Sequence, residues 1–224
     1  MASTVAFELK FGGSFNDTSD NALSPASASG TFTDDVLNRP SAVGSFNGID
    51  QRVVYDNNAA WKVFDGDFVI LSRFRKSNTP PADEYLFRAK AGGTTSGVLV
   101  SFLNGGVLRY RFGNGTENVT LTSTGSNDDT WQTLWIQRIG TDLKVFLNDM
   151  NTEATSVSSA NDFNPTTDLY IAVDNDLIPH TNIEIDMLQF RDGTTSDAER
   201  SAVTGSLTTI PSGVLSTWWQ GANR

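Results

Sequence analysis

Hydrophobic and polar residues alternate in short runs along most of the chain. From Val5 to Phe11 every second residue is hydrophobic, which is typical of a strand that buries one face. Similar runs rich in Val, Ile, Thr and aromatic residues are separated by Asn-Gly, Asp-Gly and Gly-Gly turns. The pattern predicts strands at residues 5–11, 51–55, 68–75, 85–89, 98–103, 107–112, 119–122, 131–139, 143–148, 169–173 and 183–191.

One helix is predicted near the C-terminal end. Ser196 and Glu199 have the Ser-x-x-Glu spacing of a capping box, in which each side chain accepts a hydrogen bond from the other's backbone, so a short helix is expected over residues 197–203. Residues 16–45 are rich in Ser, Ala, Asp, Gly and Pro and predict a long loop with at most a short strand. The fold class is therefore all-β, with two antiparallel sheets in a jelly-roll sandwich and one short C-terminal helix.

The predicted strand at residues 183–191 carries an acidic face. Its hydrophobic side chains stand at odd positions up to Met187 and at even positions from Leu188 onward. Because side chains alternate between the two faces of a strand, this switch requires a β-bulge near residues 187–188. The bulge places four polar side chains together on the face opposite the core, namely Glu184, Asp186, Gln189 and Arg191.

Charge and composition exclude several classes of protein. Sixteen Lys and Arg residues against 26 Asp and Glu residues give a formal net charge of −10, which argues against binding to the phosphate backbone of nucleic acids. The chain has no cysteine and one histidine, which excludes disulfides, thiolate zinc sites, thiol nucleophiles and histidine-cluster metal sites. There is no recognisable signal peptide and no apolar run of the roughly 18 residues that a membrane helix needs. These features predict synthesis in the cytoplasm without insertion into a membrane.

The order of several short motifs resembles a known superfamily. Residues 45–53 (SFNGIDQRV) are similar to an early Phe-x-Gly strand entry, and residues 67–74 (DFVILSRF) to the core strand that follows it. Residues 129–149 resemble a Trp-led hairpin that ends in Leu-x-Leu-Tyr-Val-Asp-Gly, although Gln132-Thr133 and Asp149-Met150 replace the usual residues of that pattern. Residues 169–172 (LYIA) and 185–199 resemble the C-terminal part of the same pattern. Together they resemble the laminin-G-like, or concanavalin A-like lectin/glucanase, superfamily in its bacterial or phage form, which implies a β-sandwich.

That superfamily includes laminarinase-like glycoside hydrolases, whose catalytic strand reads Glu-x-Asp-x-x-Glu. The acidic strand resembles it, with Glu184 at the position of the nucleophile and Gln189 at the position of the acid/base. Cleavage with retention needs two carboxyl groups about 5–5.5 Å apart, one of them protonated, and an amide cannot supply that proton. The strand also lies late in the chain, whereas the enzymes carry it near the middle. We therefore expect no catalytic activity. The enzymatic alternatives are a hydrolase or a polysaccharide lyase that uses Arg109, Arg111, Gln137 and His180.

Two non-enzymatic functions fit these features. The first is a structural or adsorption protein on the surface of a phage particle, made in the host cytoplasm, which would form a homo-oligomer and contact other virion subunits. The second is a free-standing carbohydrate-binding module. In either case a cell-surface glycan would bind to polar residues on the faces of the strands, predicted as Arg109, Arg111, Glu184, Asp186, Gln189 and Arg191.

No cofactor is required by these functions, and one metal is considered. Members of the superfamily commonly bind calcium through oxygen ligands from loops, and Asp174 and Asp176 have that chemistry. We favour the interpretation that these acidic turns hold no metal, because Asp and Asn are common turn residues.

Residues 1–204 are predicted to form the sandwich, and residues 205–224 a C-terminal extension. In an extended segment the adjacent Trp218 and Trp219 point to opposite sides, so one can pack on the domain while the other docks to a partner subunit.

Overall fold

The computed structural model describes residues 4–10, 13–33, 43–76, 83–90, 95–124, 129–173 and 181–203. No helix within these ranges is long and apolar enough to cross a membrane. One 3-10 turn spans Ala59–Trp61, and one α-helix, α1, spans Asp197–Ala202. The strands are β1 (Thr4–Lys10), β2 (Ser27–Ser29), β3 (Thr31–Thr33), β4 (Val43–Asn47), β5 (Arg52–Tyr55), β6 (Phe68–Arg75), β7 (Glu84–Ala89), β8 (Gly97–Leu103), β9 (Val107–Gly113), β10 (Asn118–Thr124), β11 (Trp131–Ile139), β12 (Asp142–Leu147), β13 (Thr155–Ser158), β14 (Leu169–Ile171) and β15 (Asn182–Asp192).

The strands form two antiparallel sheets. The first sheet has the order β13-β12-β11-β6-β15-β4-β3, and β1 also pairs with β15. The second sheet has the order β10-β9-β8-β7-β14-β5-β2. Seven of the thirteen strand pairs join strands that are not consecutive along the chain, so the fold depends on long-range pairing. The two sheets pack face to face, which confirms the predicted all-β sandwich with a short helix near its C-terminal end.

The hydrophobic core lies between the inner faces of the two sheets. Phe190 of β15 lies near its centre and is fully buried. Its ring centroid is 5.2 Å from that of Phe7 on β1, 5.4 Å from that of Phe64 and 5.3 Å from that of Phe87 on β7. Because β1 and β7 belong to different sheets, this one ring joins both layers of the sandwich.

A second, smaller hydrophobic cluster covers part of the outer face of the first sheet. It contains Val69 and Leu71 of β6, which alternate along the strand with residues of the main core, and Val203, which follows α1. Helix α1 therefore packs over this outer face. Its capping box is present as predicted, because Ser196 accepts a hydrogen bond from the Glu199 backbone and Glu199 accepts one from the Ser196 backbone. The other members of the cluster are Trp135, Phe146, Met150 and Met187.

Two predictions about local structure were wrong. Residues 16–45 were expected to contain at most one short strand, but β2, β3 and the start of β4 lie there. Strand β13 was not predicted at all. These strands are three to five residues long and rich in small polar residues, so their side chains carry little of the hydrophobic alternation that predicts a strand.

Candidate functional site

The acidic strand β15 carries the predicted bulge. Against β6, Ile185 pairs with Phe74 and Met187 pairs with Arg73, so Asp186 is the extra residue of the bulge. The bulge thus lies slightly before the predicted residues 187–188. Met187 was expected on the core side, but it belongs to the outer cluster, because the extra residue reverses the alternation one position earlier than predicted.

Two carboxylates of the strand, those of Glu184 and Asp186, accept hydrogen bonds from arginines of β6. Asp186 Oδ2 lies 2.7 Å from Arg73 Nη1, and the two residues are only 4% and 2% exposed. Glu184 Oε2 accepts a hydrogen bond of 2.7 Å from Arg75 Nε, and this pair is half-buried. The register explains both contacts, since Glu184 pairs directly with Arg75 and the bulge brings Asp186 beside Arg73.

An indole ring connects the two arginines. Trp131 of β11 pairs with Arg75, and its ring centroid lies 5.5 Å from the Arg75 Cζ and 4.4 Å from the Arg73 Cζ. The result is a stack in which carboxylates, guanidinium groups and one aromatic ring are in contact. Two buried polar atoms on the same strand, Trp131 Nε1 and Thr133 Oγ1, have no hydrogen-bond partner among the described residues.

The stack opens to solvent at a small cleft, which we call the Glu184 cleft. Its volume is about 80 Å³, and it contains a second carboxylate, that of Asp129, whose Oδ1 lies 3.9 Å from Arg75 Nε. The backbone of Asp129 is left-handed, with φ 53°, a conformation that aspartate tolerates better than most residues. The lining residues are Ser45, Arg75, Asp129, Asn182, Ile183 and Glu184.

Gln189 and Arg191 are linked to a residue that sequence reasoning missed. Gln189 is 1% exposed and donates a hydrogen bond from Nε2 to Glu8 Oε1, while Arg191 Nε donates to Gln189 Oε1 at 2.6 Å. Glu8 also forms an ion pair with Lys10 at 3.0 Å. Burial lowers the pKa of Arg191 to about 10, and the carboxylates of Glu8 and Glu199 oppose that shift. Alternation within β1 indicated that Glu8 faces away from the core, but the pairing of β1 with β15 had no local signal.

The six predicted ligand residues do not lie on one surface of the sandwich. Arg109 and Arg111 lie on β9 of the second sheet, whereas the four polar residues of β15 lie on the first sheet. Both sets face away from the core, so the whole thickness of the sandwich separates them. Within the first set, Asp186, Gln189 and Arg191 are buried and bonded to protein partners, and Glu184 is the accessible member. Whether any of them binds a ligand stays a prediction.

Several other predicted site residues cannot be placed. Asp174 and Asp176, considered for calcium, lie outside the described residues, as do His180, Trp218 and Trp219. Within the described ranges, no group of three or more His, Cys, Asp or Glu side chains is arranged to hold a metal ion. Calcium binding and docking by the C-terminal extension therefore stay predictions.

Part of the chain is similar to a known family of domains. The family model described as Laminin G domain matches residues 85–180. No curated protein matches the sequence.

Among solved structures, the binding domain of Paraclostridial Mosquitocidal Protein 1 aligns with a TM-score of 0.71 at 13% identity, covering 88% of this chain and 51% of that one. The binding domain of botulinum neurotoxin serotype G aligns with a TM-score of 0.71 at 12% identity, covering 89% and 50%. The binding domain of botulinum neurotoxin DC, solved in complex with SialylT, aligns with a TM-score of 0.68 at 11% identity, covering 88% and 50%. The chain thus spans about half the length of these structures. Residues 85–180 are thus similar to the Laminin G domain family, and the chain shares its β-sandwich fold with these binding domains.

Proposed function

We propose that this domain is a non-catalytic recognition module that binds a glycan at the Glu184 cleft. One observation carries the proposal: the cleft brings together the carboxylates of Glu184 and Asp129, the guanidinium of Arg75 and the amide of Asn182. Sugar hydroxyl groups both donate and accept hydrogen bonds, so a surface that offers charged acceptors and donors side by side suits them. The solved neighbours are named as binding domains, and one of them is in complex with SialylT, which supports recognition as the role of this fold.

The chemistry of β15 favours binding over cleavage. A retaining hydrolase needs a nucleophilic carboxylate and a second carboxyl group that donates a proton. In β15 the third position of the motif is Gln189, whose amide is bonded to Glu8 and Arg191. Asp186 is buried against Arg73, and Glu184 accepts hydrogen bonds from Arg75. The strand therefore offers polar groups that are held in position but no pair suited to acid/base exchange.

Substitution of Glu184 by glutamine tests the cleft. A glycan array would first identify a ligand, and calorimetric titration of the full chain would then measure its affinity. We expect Glu184→Gln to weaken that affinity about tenfold or more, because a hydrogen bond to a charged acceptor is replaced by one to a neutral amide. Glu153→Gln is the matched control, since Glu153 also forms an ion pair on the first sheet, with Lys144, but lies outside the cleft.

Three results would contradict the proposal. The first is a glycan whose affinity is the same in Glu184→Gln and in the unsubstituted chain. The second is an equal loss in the Glu153→Gln control. The third is release of reducing ends from a β-glucan that stops in Glu184→Gln, because it would make the chain a hydrolase.

We further propose that the module works within a larger assembly, on a particle such as a phage virion. In the solved neighbours this fold makes up about half of a longer chain, which supports a module that acts beside other domains or subunits. Deletion of residues 205–224 is expected to reduce a homo-oligomer to monomers in light scattering, because that segment is the predicted docking element. An oligomer that persists after the deletion would exclude docking by the extension.

A further inference from the structure

Edge strands end each of the two sheets, and within the described residues one of them differs from the others in length. The first sheet ends at β13 and β3, and the second ends at β10 and β2. Strands β2 and β3 have three residues each and β13 has four, whereas β10 has seven. An edge strand has backbone N–H and C=O groups without a partner strand, so a long edge is a template to which another strand can add.

Strand β1 shows how this chain closes a long edge. It pairs with β15 on one side, and residues 17–21 cover its other side. Glu8 N donates a hydrogen bond of 2.9 Å to Asp17 Oδ1, and Glu8 O accepts one of 2.7 Å from Thr18 N. Ala6 O accepts one of 2.6 Å from Asn21 Nδ2. The backbone groups of Ala6 and Glu8 are therefore bonded within the domain and are not open to another strand.

Strand β10 has none of the features that protect an edge. It is not short, and it contains no charged residue and no proline. Its pairing with β9 runs from Asn118 opposite Gly113 to Thr124 opposite Val107 without a register shift, so no bulge turns it away. The second sheet ends at β10, and no strand in the described ranges pairs with its outer side. Every second residue of β10 thus directs its backbone N–H and C=O outward.

A groove lies beside the C-terminal half of this strand. Its volume is about 370 Å³, which is within the range of small-ligand pockets and can hold an aromatic side chain. One wall is β10, and the other belongs to the first sheet, because Leu147 is the last residue of β12. The lining residues are Thr122, Ser123, Thr124, Leu147, Asn148 and Ala154. A strand added to β10 can therefore bury a side chain in this groove.

The C-terminal extension contains a segment suited to this edge. Residues 214–220 read VLSTWWQ, a run as long as β10 that is rich in β-branched and aromatic residues and lacks proline. Between residues 204 and 224 the one charged side chain is that of Arg224. In a chain with a net charge of −10, an uncharged segment thus meets an uncharged edge without electrostatic repulsion.

The connection before this run is long enough to reach a neighbouring molecule. Val203, just after α1, packs on the outer face of the first sheet, whereas β10 is an edge of the second sheet. Residues 204–213 lie between Val203 and the run, and they span up to about 35 Å when fully extended. That length is roughly twice the radius of gyration expected for a domain of this size, about 17 Å. The run can therefore leave its own domain.

On the basis of the docking role proposed for residues 205–224, we propose that β10 is the acceptor edge for the extension of a neighbouring copy of the chain. Residues 214–220 of that copy add as a further strand to the seven of the second sheet. Backbone hydrogen bonds between the two strands supply affinity, and Trp218 or Trp219 occupies the groove beside β10.

Substitution of Val119 tests the edge in the full chain. Val119 is partly buried and packs against the core from β10. In Val119→Lys the ammonium group reaches water through the open edge, and an added strand would close that path. We expect the dissociation constant of the oligomer, from light scattering over a dilution series, to rise about tenfold or more. Val119→Ala is the matched control, because it loses the same hydrophobic contacts without adding a charge, so its oligomer should persist.

Hydrogen exchange followed by mass spectrometry measures the same edge without a substitution. Peptides that cover residues 118–124 should exchange more slowly in the oligomer than in the monomer at high dilution, because outward N–H groups become bonded. Peptides that cover β2, at the other edge of the same sheet, should exchange equally in both. A synthetic peptide of residues 205–224, added in excess, should convert oligomers of the full chain to monomers.

The outcomes separate the acceptor edge from the docking role of the extension. A chain that is monomeric at all concentrations, or an oligomer that survives deletion of residues 205–224, would exclude docking by the extension. An oligomer that dissociates on that deletion but is equally stable in Val119→Lys and Val119→Ala would keep the docking role and overturn β10 as its acceptor. Equal exchange of residues 118–124 in oligomer and monomer would overturn it too. Protection of these residues in a monomer, lost on the deletion, would overturn the proposal in favour of docking within one chain.

Discussion

Replacing Asp186 with alanine is expected to lower the free energy of unfolding by about 3–5 kcal/mol, the usual cost of leaving one member of a buried ion pair without its partner. Asp186 and Arg73 are bonded at 2.7 Å and almost fully buried. After the substitution the Arg73 guanidinium would remain buried without this carboxylate, since Trp131 covers it on one side. Urea unfolding followed by circular dichroism measures the change.

Two further variants separate this mechanism from a simple loss of contacts. The ion pair of Lys144 with Glu153 has a similar length, 2.6 Å, but is exposed, so Glu153→Ala should cost below about 1 kcal/mol. The double variant Arg73→Met with Asp186→Leu should recover much of the loss, because it removes both buried charges and fills the space with hydrophobic atoms. The prediction is wrong if Asp186→Ala is no more destabilising than Glu153→Ala.

Replacing Phe190 with alanine is expected to lower the free energy of unfolding by a similar amount, about 3–5 kcal/mol. The ring is fully buried and contacts aromatic rings from both sheets, including Phe7 and Phe87. Its removal leaves a cavity at the junction of the two layers, which packed strands cannot easily close. Thermal unfolding of the purified variant would show the loss as a lower midpoint temperature.

Matched substitutions define the cavity effect. Phe190→Leu keeps much of the volume and should cost clearly less than Phe190→Ala. Ile49 is 75% exposed in the loop between β4 and β5, so Ile49→Ala should change stability by no more than about 0.5 kcal/mol. Equal stability of Phe190→Ala and Ile49→Ala would show that Phe190 is not a central core residue.

The bounds of strands with strong local sequence patterns were predicted correctly. Strand β6, predicted at residues 68–75, and strand β11, predicted at residues 131–139, have the predicted bounds. Both strands are rich in β-branched and aromatic residues, and turn residues adjoin them, with Asp65-Gly66-Asp67 before β6 and Gly140 after β11. The capping box of α1 was equally clear, because both of its side chains lie within one turn of helix.

The candidate site was predicted only in part. The sequence indicated that Glu184 and Asp186 share a face of β15, since the alternation of a strand is a local property. The Trp131 stack was not predicted, because it depends on the pairing of β11 with β6, and Trp131 is more than fifty residues away from Glu184 in the chain. Glu8 was missed for the same reason, being 181 residues away from its partner Gln189.

The sequence by itself determined the all-β class, most strand positions, the terminal helix and the bulge in the acidic strand, because each follows from the order of neighbouring residues. Only the tertiary structure decided which strands share a sheet, and therefore that Arg109 and Arg111 lie opposite Glu184. It also decided that Asp186 is buried against Arg73 while Glu184 borders an open cleft. These outcomes depend on packing between distant segments, and a pattern within one strand contains no information about which strand will lie beside it.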